Sequence, residues 1–147
     1  MGSFSLWRLF TTDAVTAVAS IVLVIFSVVS WAVIVEKIRL FRAARRTKIT
    51  GNPDDAIRPF DKNLWFLSMV AYVSPFIGLF GTVWGVMDSF ASIGANQSVS
   101  IGVIAPGLAI ALGTTALGLI VAIPAAIAHQ VFTKRADELY DKLEHSK

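Results

Sequence analysis

Polar and apolar positions divide this chain into long blocks, not short alternating periods. Residues 14–35 are 22 consecutive positions without Asp, Glu, Lys or Arg, rich in Val and Ile. Between Lys62 and Lys134 lie 71 residues interrupted by one charge, Asp88. About 20 apolar residues cross a bilayer core as a helix. The first block is therefore one span, and the second holds two spans and a short turn. In lipid every backbone group must be bonded internally, which a helix achieves even in a β-branched run. The pattern predicts an all-α integral membrane protein with three transmembrane helices, roughly 14–35, 64–92 and 101–132, forming one membrane domain over 1–147.

Polar punctuation separates the spans. TKITGNPDD (47–55) places Gly, Asn and Pro in succession and reads as a turn. GANQSVS (94–100) is a small polar turn between the second and third spans. Its Asn96-Gln97-Ser98 fits a glycosylation sequon, a pattern too short to carry weight. SFSLWRLF (3–10) and Trp65 are aromatic interfacial anchors. EKIRLFRAARR (36–46) continues the first helix with its Arg and Lys at the headgroups, and residues 133–147 form a charged, amphipathic tail. The first apolar run exceeds the 7–15 residues of a signal-peptide core and is stopped by a basic cluster, so a retained span is expected.

Composition agrees with the blocks: 55% hydrophobic, 16% charged, mean hydropathy +0.68. The distribution of the net +3 charge says more than its size. Residues 36–62 hold eight Lys/Arg against four acids, the tail after Phe132 holds four of each, and 94–100 holds none. The positive-inside rule then places the 36–62 segment and the C-terminus in the cytoplasm, with the N-terminus and the 94–100 turn outside. The basic stretch reads as topology and lipid contact, not nucleic-acid binding. There is no cysteine, hence no disulfide framework and no thiol metal site. No metal or cofactor is expected.

The second span gives up apolar bulk in an ordered way. Ser74, Gly78, Gly81, Thr82, Gly85 and Ser89 recur at spacings of three and four and form one small, weakly polar stripe. Phe76, Phe80, Val83 and Met87 make a bulky stripe on another face. In the third span Ala111, Thr115, Gly118, Ala122, Ala125 and His129 share a face, with Thr114 beside it. Pro106 and Pro124 each remove a donor there, and kinks are expected. Small residues let membrane helices approach closely, so tight packing is one reading of both stripes. A narrow wet path is the other. Thr82 and Thr115 both lie roughly 18–22 Å from the outer turn at 1.5 Å per residue. Antiparallel neighbours bring the two hydroxyls to one depth, near the bilayer middle. A lone Thr would just bond its own i−4 carbonyl.

What is missing points elsewhere. No Asp, Glu, Lys or Arg sits deep in a span, although intramembrane carriers rely on an ionisable relay. Asp88 is about six residues from the outer turn, either a solvated boundary acid or a proton-uptake residue. His129 sits near the inner boundary with the same two readings. If the chain conducts protons, the proton-accepting acid belongs to another chain. No nucleophile triad, HExxH, P-loop or GxGxxG is present, so an enzyme is not expected. A stand-alone transporter would need its own buried ionisable residue. A non-conducting membrane scaffold would need only the small-residue packing.

SPFIGLFGTVWGVM (74–87), APGLAIALGTTALGLIVAIPA (105–125) and SWAVIVEKIRLFRAARR (30–46) resemble the MotA/TolQ/ExbB proton-channel family, its TolQ branch more than its ExbB branch. The resemblance implies a pentamer of three-span subunits in the bacterial inner membrane. The ring encloses the single-span helices of a TolR- or ExbD-like partner that carries a membrane Asp. It implies use of the proton-motive force to energise the cell envelope, with a TolA- or TonB-like protein as a further partner, and pore-facing roles for Thr82 and Thr115. The ExbB alternative implies energising TonB-dependent uptake. The family's third span commonly has Glu where this chain has Ile110, so a role assigned to that Glu does not carry over. TolQ-like proteins also have a larger cytoplasmic region between the first two spans than residues 36–62 provide.

Overall fold

A computed structural model describes residues 14–44, 58–96 and 101–145. The interfacial segment 3–10, the turn 47–55 and residues 97–100 lie outside the described residues, as does most of the basic stretch between Arg45 and Ile57. Three helices make the fold: α1 (Ala14–Ala44), α2 (Leu64–Asn96) and α3 (Ile101–Glu144). Each is long and apolar enough to cross a membrane. At 1.5 Å per residue α3 is about 66 Å long, twice a hydrocarbon core. The expected tail is thus not a separate segment but the same helix continued to Glu144.

A helical turn at 58–61 precedes α2. Asn63 then takes a left-handed backbone (φ 66°), which Asn tolerates better than most residues, and Phe66 N–H bonds back to its carbonyl at 3.2 Å. The chain thereby turns into α2 at Leu64, the expected start of the second span. Pro75 in α2 and Pro106 and Pro124 in α3 sit inside unbroken helices. In a membrane bundle the freed carbonyls are satisfied by neighbours, so these prolines do not end the helix.

α2 and α3 pack against each other along most of their length, and α1 joins them more loosely. The buried face of α2 runs Leu64, Leu67, Val70, Ser74, Gly78, Gly81, Gly85, Ser89, at spacings of three and four throughout. Its chemistry changes at Ser74. On the side of the basic segment the seam is built from bulky groups: Leu67 and Val70 meet Val121, Ala125 and Ala128, with Val33 and Ile34 of α1. Phe41 of α1 lies 4.8 Å from Phe60 and stacks at 5.7 Å on Phe132, so one ring ties α1 to α3 and to the turn that precedes α2. On the other side the seam is Gly, Ala, Ser and Thr, and α2 and α3 touch almost backbone to backbone. The bulky stripe Phe76, Phe80, Val83 and Met87 points away from the seam and is exposed, as expected of a surface facing lipid or another subunit.

The seam on α3 keeps Ala111, Gly118, Ala122 and Ala125 of the expected face buried and takes in Thr114, expected beside it. Thr114, Gly118, Val121, Ala125 and Ala128 lie at its centre, while Thr115 and His129 stand half-buried at its edge. Close packing selected this face: Ala111, Thr114 and Gly118 meet the glycines of α2.

Candidate functional site

The site forms where the slim seam is narrowest. A Cβ on Gly78 would lie 2.7 Å from the Thr114 carbonyl oxygen and 3.0 Å from Thr115 Cα. A Cβ on Gly118 would lie 2.6 Å from the Ser74 carbonyl oxygen. On Gly81 it would lie 2.8 Å from Thr114 Oγ1, and on Gly85 2.8 Å from the Ala111 Cβ. Gly78, Gly81, Gly85, Ala111 and Gly118, expected as a packing and pore stripe, are therefore all placed within the α2–α3 contact of one chain. Their small size brings three hydroxyls and two carbonyls into one cluster.

Thr82 Oγ1 lies 2.8 Å from the Ala111 carbonyl oxygen and 3.2 Å from that of Gly78, and is hydrogen-bonded to Thr115 Oγ1. Thr115 Oγ1 lies 3.2 Å from the Gly78 carbonyl oxygen. Thr114 Oγ1 donates to Ala111 at 2.7 Å, with Gly78 at 3.2 Å and Thr82 Oγ1 at 3.5 Å. Each hydroxyl has one proton to give and two lone pairs to receive with. The Thr82–Thr115 pair can therefore be written in two directions. Either Thr115 donates to Thr82, which donates to Ala111, or Thr82 donates to Thr115, which donates to Gly78. Thr114 is fully buried, whereas Thr82 and Thr115 are half-buried and keep lone pairs open at the seam's edge.

Such a cluster can hold water or a protonated acid by hydrogen bonds, and it cannot carry charge itself. Asp88 and His129 are not brought to it. Asp88 is exposed on α2 about 9 Å along the axis from Thr82, and His129 lies about 21 Å along α3 from Thr115. Ile110 is half-buried at the seam's edge, one residue from Ala111. Among the described residues no group of three or more His, Asp or Glu could hold a metal ion.

One residue was expected elsewhere. Lys37, placed at the headgroups by its sequence context, is fully buried, and its ammonium donates to the Pro59 and Phe60 carbonyls at 2.8 and 2.9 Å. The reason is position: Ser30, Val33, Ile34, Lys37 and Phe41 all lie on the buried face of α1. That spacing of three and four was legible, but charge argued against burial. The two carbonyls that close the turn before α2 supply the compensation a buried ammonium needs.

The fold is thus all-α, three long apolar helices with a hydroxyl cluster in the α2–α3 seam and no acid among the described residues beside it. The model of the MotA/TolQ/ExbB proton channel family matches residues 37–145, and the chain belongs to that family. With its three apolar helices it is a multi-pass protein of the inner membrane. It is similar to the biopolymer transport protein ExbB of Salmonella typhimurium, at 41% identity over 95 residues, 65% of this chain and 36% of that protein. It is similar to the Tol-Pal system protein TolQ of Pseudomonas aeruginosa, at 47% over 79 residues, 54% of this chain and 34% of that one. ExbB of Pseudomonas putida matches at 50% over 68 residues, 46% and 21% of the two chains. The chain thus spans about a third or less of these relatives' lengths, and both branches stand at comparable identity.

Proposed function

We propose that this chain is a non-enzymatic subunit of a proton-driven motor in the inner membrane. Its Thr82–Thr115 pair faces the proton-carrying acid of a partner protein. The supporting observation is that pair itself: two mutually bonded hydroxyls, half-exposed at the edge of a closed seam, at mid-span, with no acid among the described residues in reach. In this reading the basic end of the bundle faces the cytoplasm, five copies form a ring, and a TolR- or ExbD-like single-span chain supplies a membrane Asp to its interior. When that Asp is protonated it donates to a threonine oxygen. When it is charged it accepts a hydrogen bond from a threonine hydroxyl. For the charged state the hydroxyl that ends the Thr82–Thr115 chain turns from its carbonyl (Ala111 for Thr82, Gly78 for Thr115) to the carboxylate, while the other still donates to it. The work done goes to the cell envelope, either through a Tol-Pal-type system or as energy for TonB-dependent uptake.

The test is proton flux into vesicles carrying the complex purified from its own membrane. Thr82→Val and Thr115→Val remove a hydroxyl at near-constant volume and should each abolish most of the flux, while Thr→Ser should retain it. Flux that survives both valine changes sinks the proposal. The Ala111 and Gly78 carbonyl bonds favour a second reading, in which the hydroxyls only staple α2 to α3. That reading expects the valine variants to lose thermal stability in step with any loss of flux.

A further inference from the structure

At the basic end a groove of about 690 Å³ opens between α1 and α3, away from the threonine cluster. Its walls are Trp31 and Phe41 from α1 and Ile127 and Val131 from α3, and its mouth carries Arg42 and Arg135. The helices run parallel here. From Trp31 to Arg42 is eleven residues, about 16 Å of helix, close to half of a ~30 Å hydrocarbon core. The groove thus runs from the last turn of the first apolar span to the headgroup level, apolar along its length and doubly cationic at its end. Among the described residues neither guanidinium is ion-paired.

We propose that this groove binds an acidic phospholipid of the inner leaflet, with an acyl chain along Trp31 and Ile127 and the phosphodiester between Arg42 and Arg135. The leaflet follows from the cytoplasmic placement of the basic end given above. The binding itself does not depend on the proton reading. Basic pockets between transmembrane helices at that depth recruit anionic headgroups, and planar guanidinium groups are suited to phosphate. A second copy of this chain is the poorer occupant. At this depth it would bring its own cationic segment, eight Lys/Arg against four acids over 36–62, against two unneutralised arginines.

Trp31 is the reporter. The full chain is prepared with Trp7→Phe, Trp65→Phe and Trp84→Phe and placed in phosphatidylcholine vesicles containing a small fraction of acyl-brominated lipid. Brominated phosphatidylglycerol should quench Trp31 with roughly 25-fold preference over brominated phosphatidylcholine, since each of the two basic residues at an anionic surface contributes about fivefold. The double variant Arg42→Gln/Arg135→Gln should lose the preference with its circular dichroism unchanged, and Arg42→Lys/Arg135→Lys should keep most of it. Millimolar inorganic phosphate should not compete. Equal quenching by both lipids, or a preference that survives the glutamine changes, overturns the proposal. Displacement by inorganic phosphate would make the site an anion site without lipid. A Trp31 shielded from both lipids would show the groove filled by a second copy.

Discussion

Gly78 and Gly118 meet across the α2–α3 seam with no side chain between them: a Cβ on Gly118 would lie 3.1 Å from Gly78 Cα and 2.6 Å from the Ser74 carbonyl oxygen. Because the obstructing atoms are backbone, nothing local can rotate aside. Gly118→Ala and Gly78→Ala should each destabilise the purified protein by about 1–3 kcal/mol, the usual range for overpacking. Gly107→Ala is the control. Its obstruction is Ser89 Oγ at 2.5 Å, a side-chain atom that can change rotamer. Thermal unfolding in one detergent compares the three, and a Gly118→Ala variant as stable as Gly107→Ala would contradict the close contact.

Thr114 and Thr115 are neighbours in sequence with different surroundings. Thr114 is fully buried and bonded to Ala111, whereas Thr115 is half-buried at the rim. Thr114→Val should therefore lower stability, by about 0.6–1.7 kcal/mol for a hydrogen bond inside a membrane bundle. Thr115→Val should lower proton flux more than stability. Measuring both quantities on both variants separates structural from functional hydroxyls, and the assignment fails if the two variants behave alike.

Ser74 gives the opposite expectation. Its hydroxyl is fully buried and makes no hydrogen bond among the described residues. Removing an unsatisfied buried polar group relieves a desolvation cost. Ser74→Ala should leave the melting temperature unchanged or raise it, whereas a marked fall would reveal a partner for that hydroxyl.

Lys37 clamps the end of α1 to the turn before α2. Lys37→Met keeps the stem's volume and packing but abandons the Pro59 and Phe60 carbonyls. The expected cost is about 1–3 kcal/mol. Amide exchange should quicken locally, in residues 58–67. Uniformly faster exchange over all three helices would mean that the lysine supports the whole bundle and not this turn.

The sequence carried the spans, the slim stripes and the matched depth of Thr82 and Thr115, because each depends on spacing alone. It did not resolve which of two adjacent threonines lies inside. That choice follows from the close approach of Gly78 to Gly118, which turns α3 so that Thr114 faces Gly81. Spacing places a residue on a face to within about one position, and tertiary contact sets the rest. Lys37 shows the other limit. Its place on the apolar face of α1 was visible, but the carbonyls that compensate its charge lie more than twenty residues away, beyond reach of a local pattern.

The threonine cluster has a consequence for titration. Its hydroxyls neither gain nor lose a proton over the accessible pH range, and among the described residues no acid or base stands beside them. In the proposed motor, any midpoint in a pH profile of proton flux then belongs to the partner's acid, tuned by the hydrogen bonds these threonines offer it. Thr82→Ser and Thr115→Ser, which keep the oxygen but loosen its position, should shift that midpoint or lower the plateau, and neither should add an inflection.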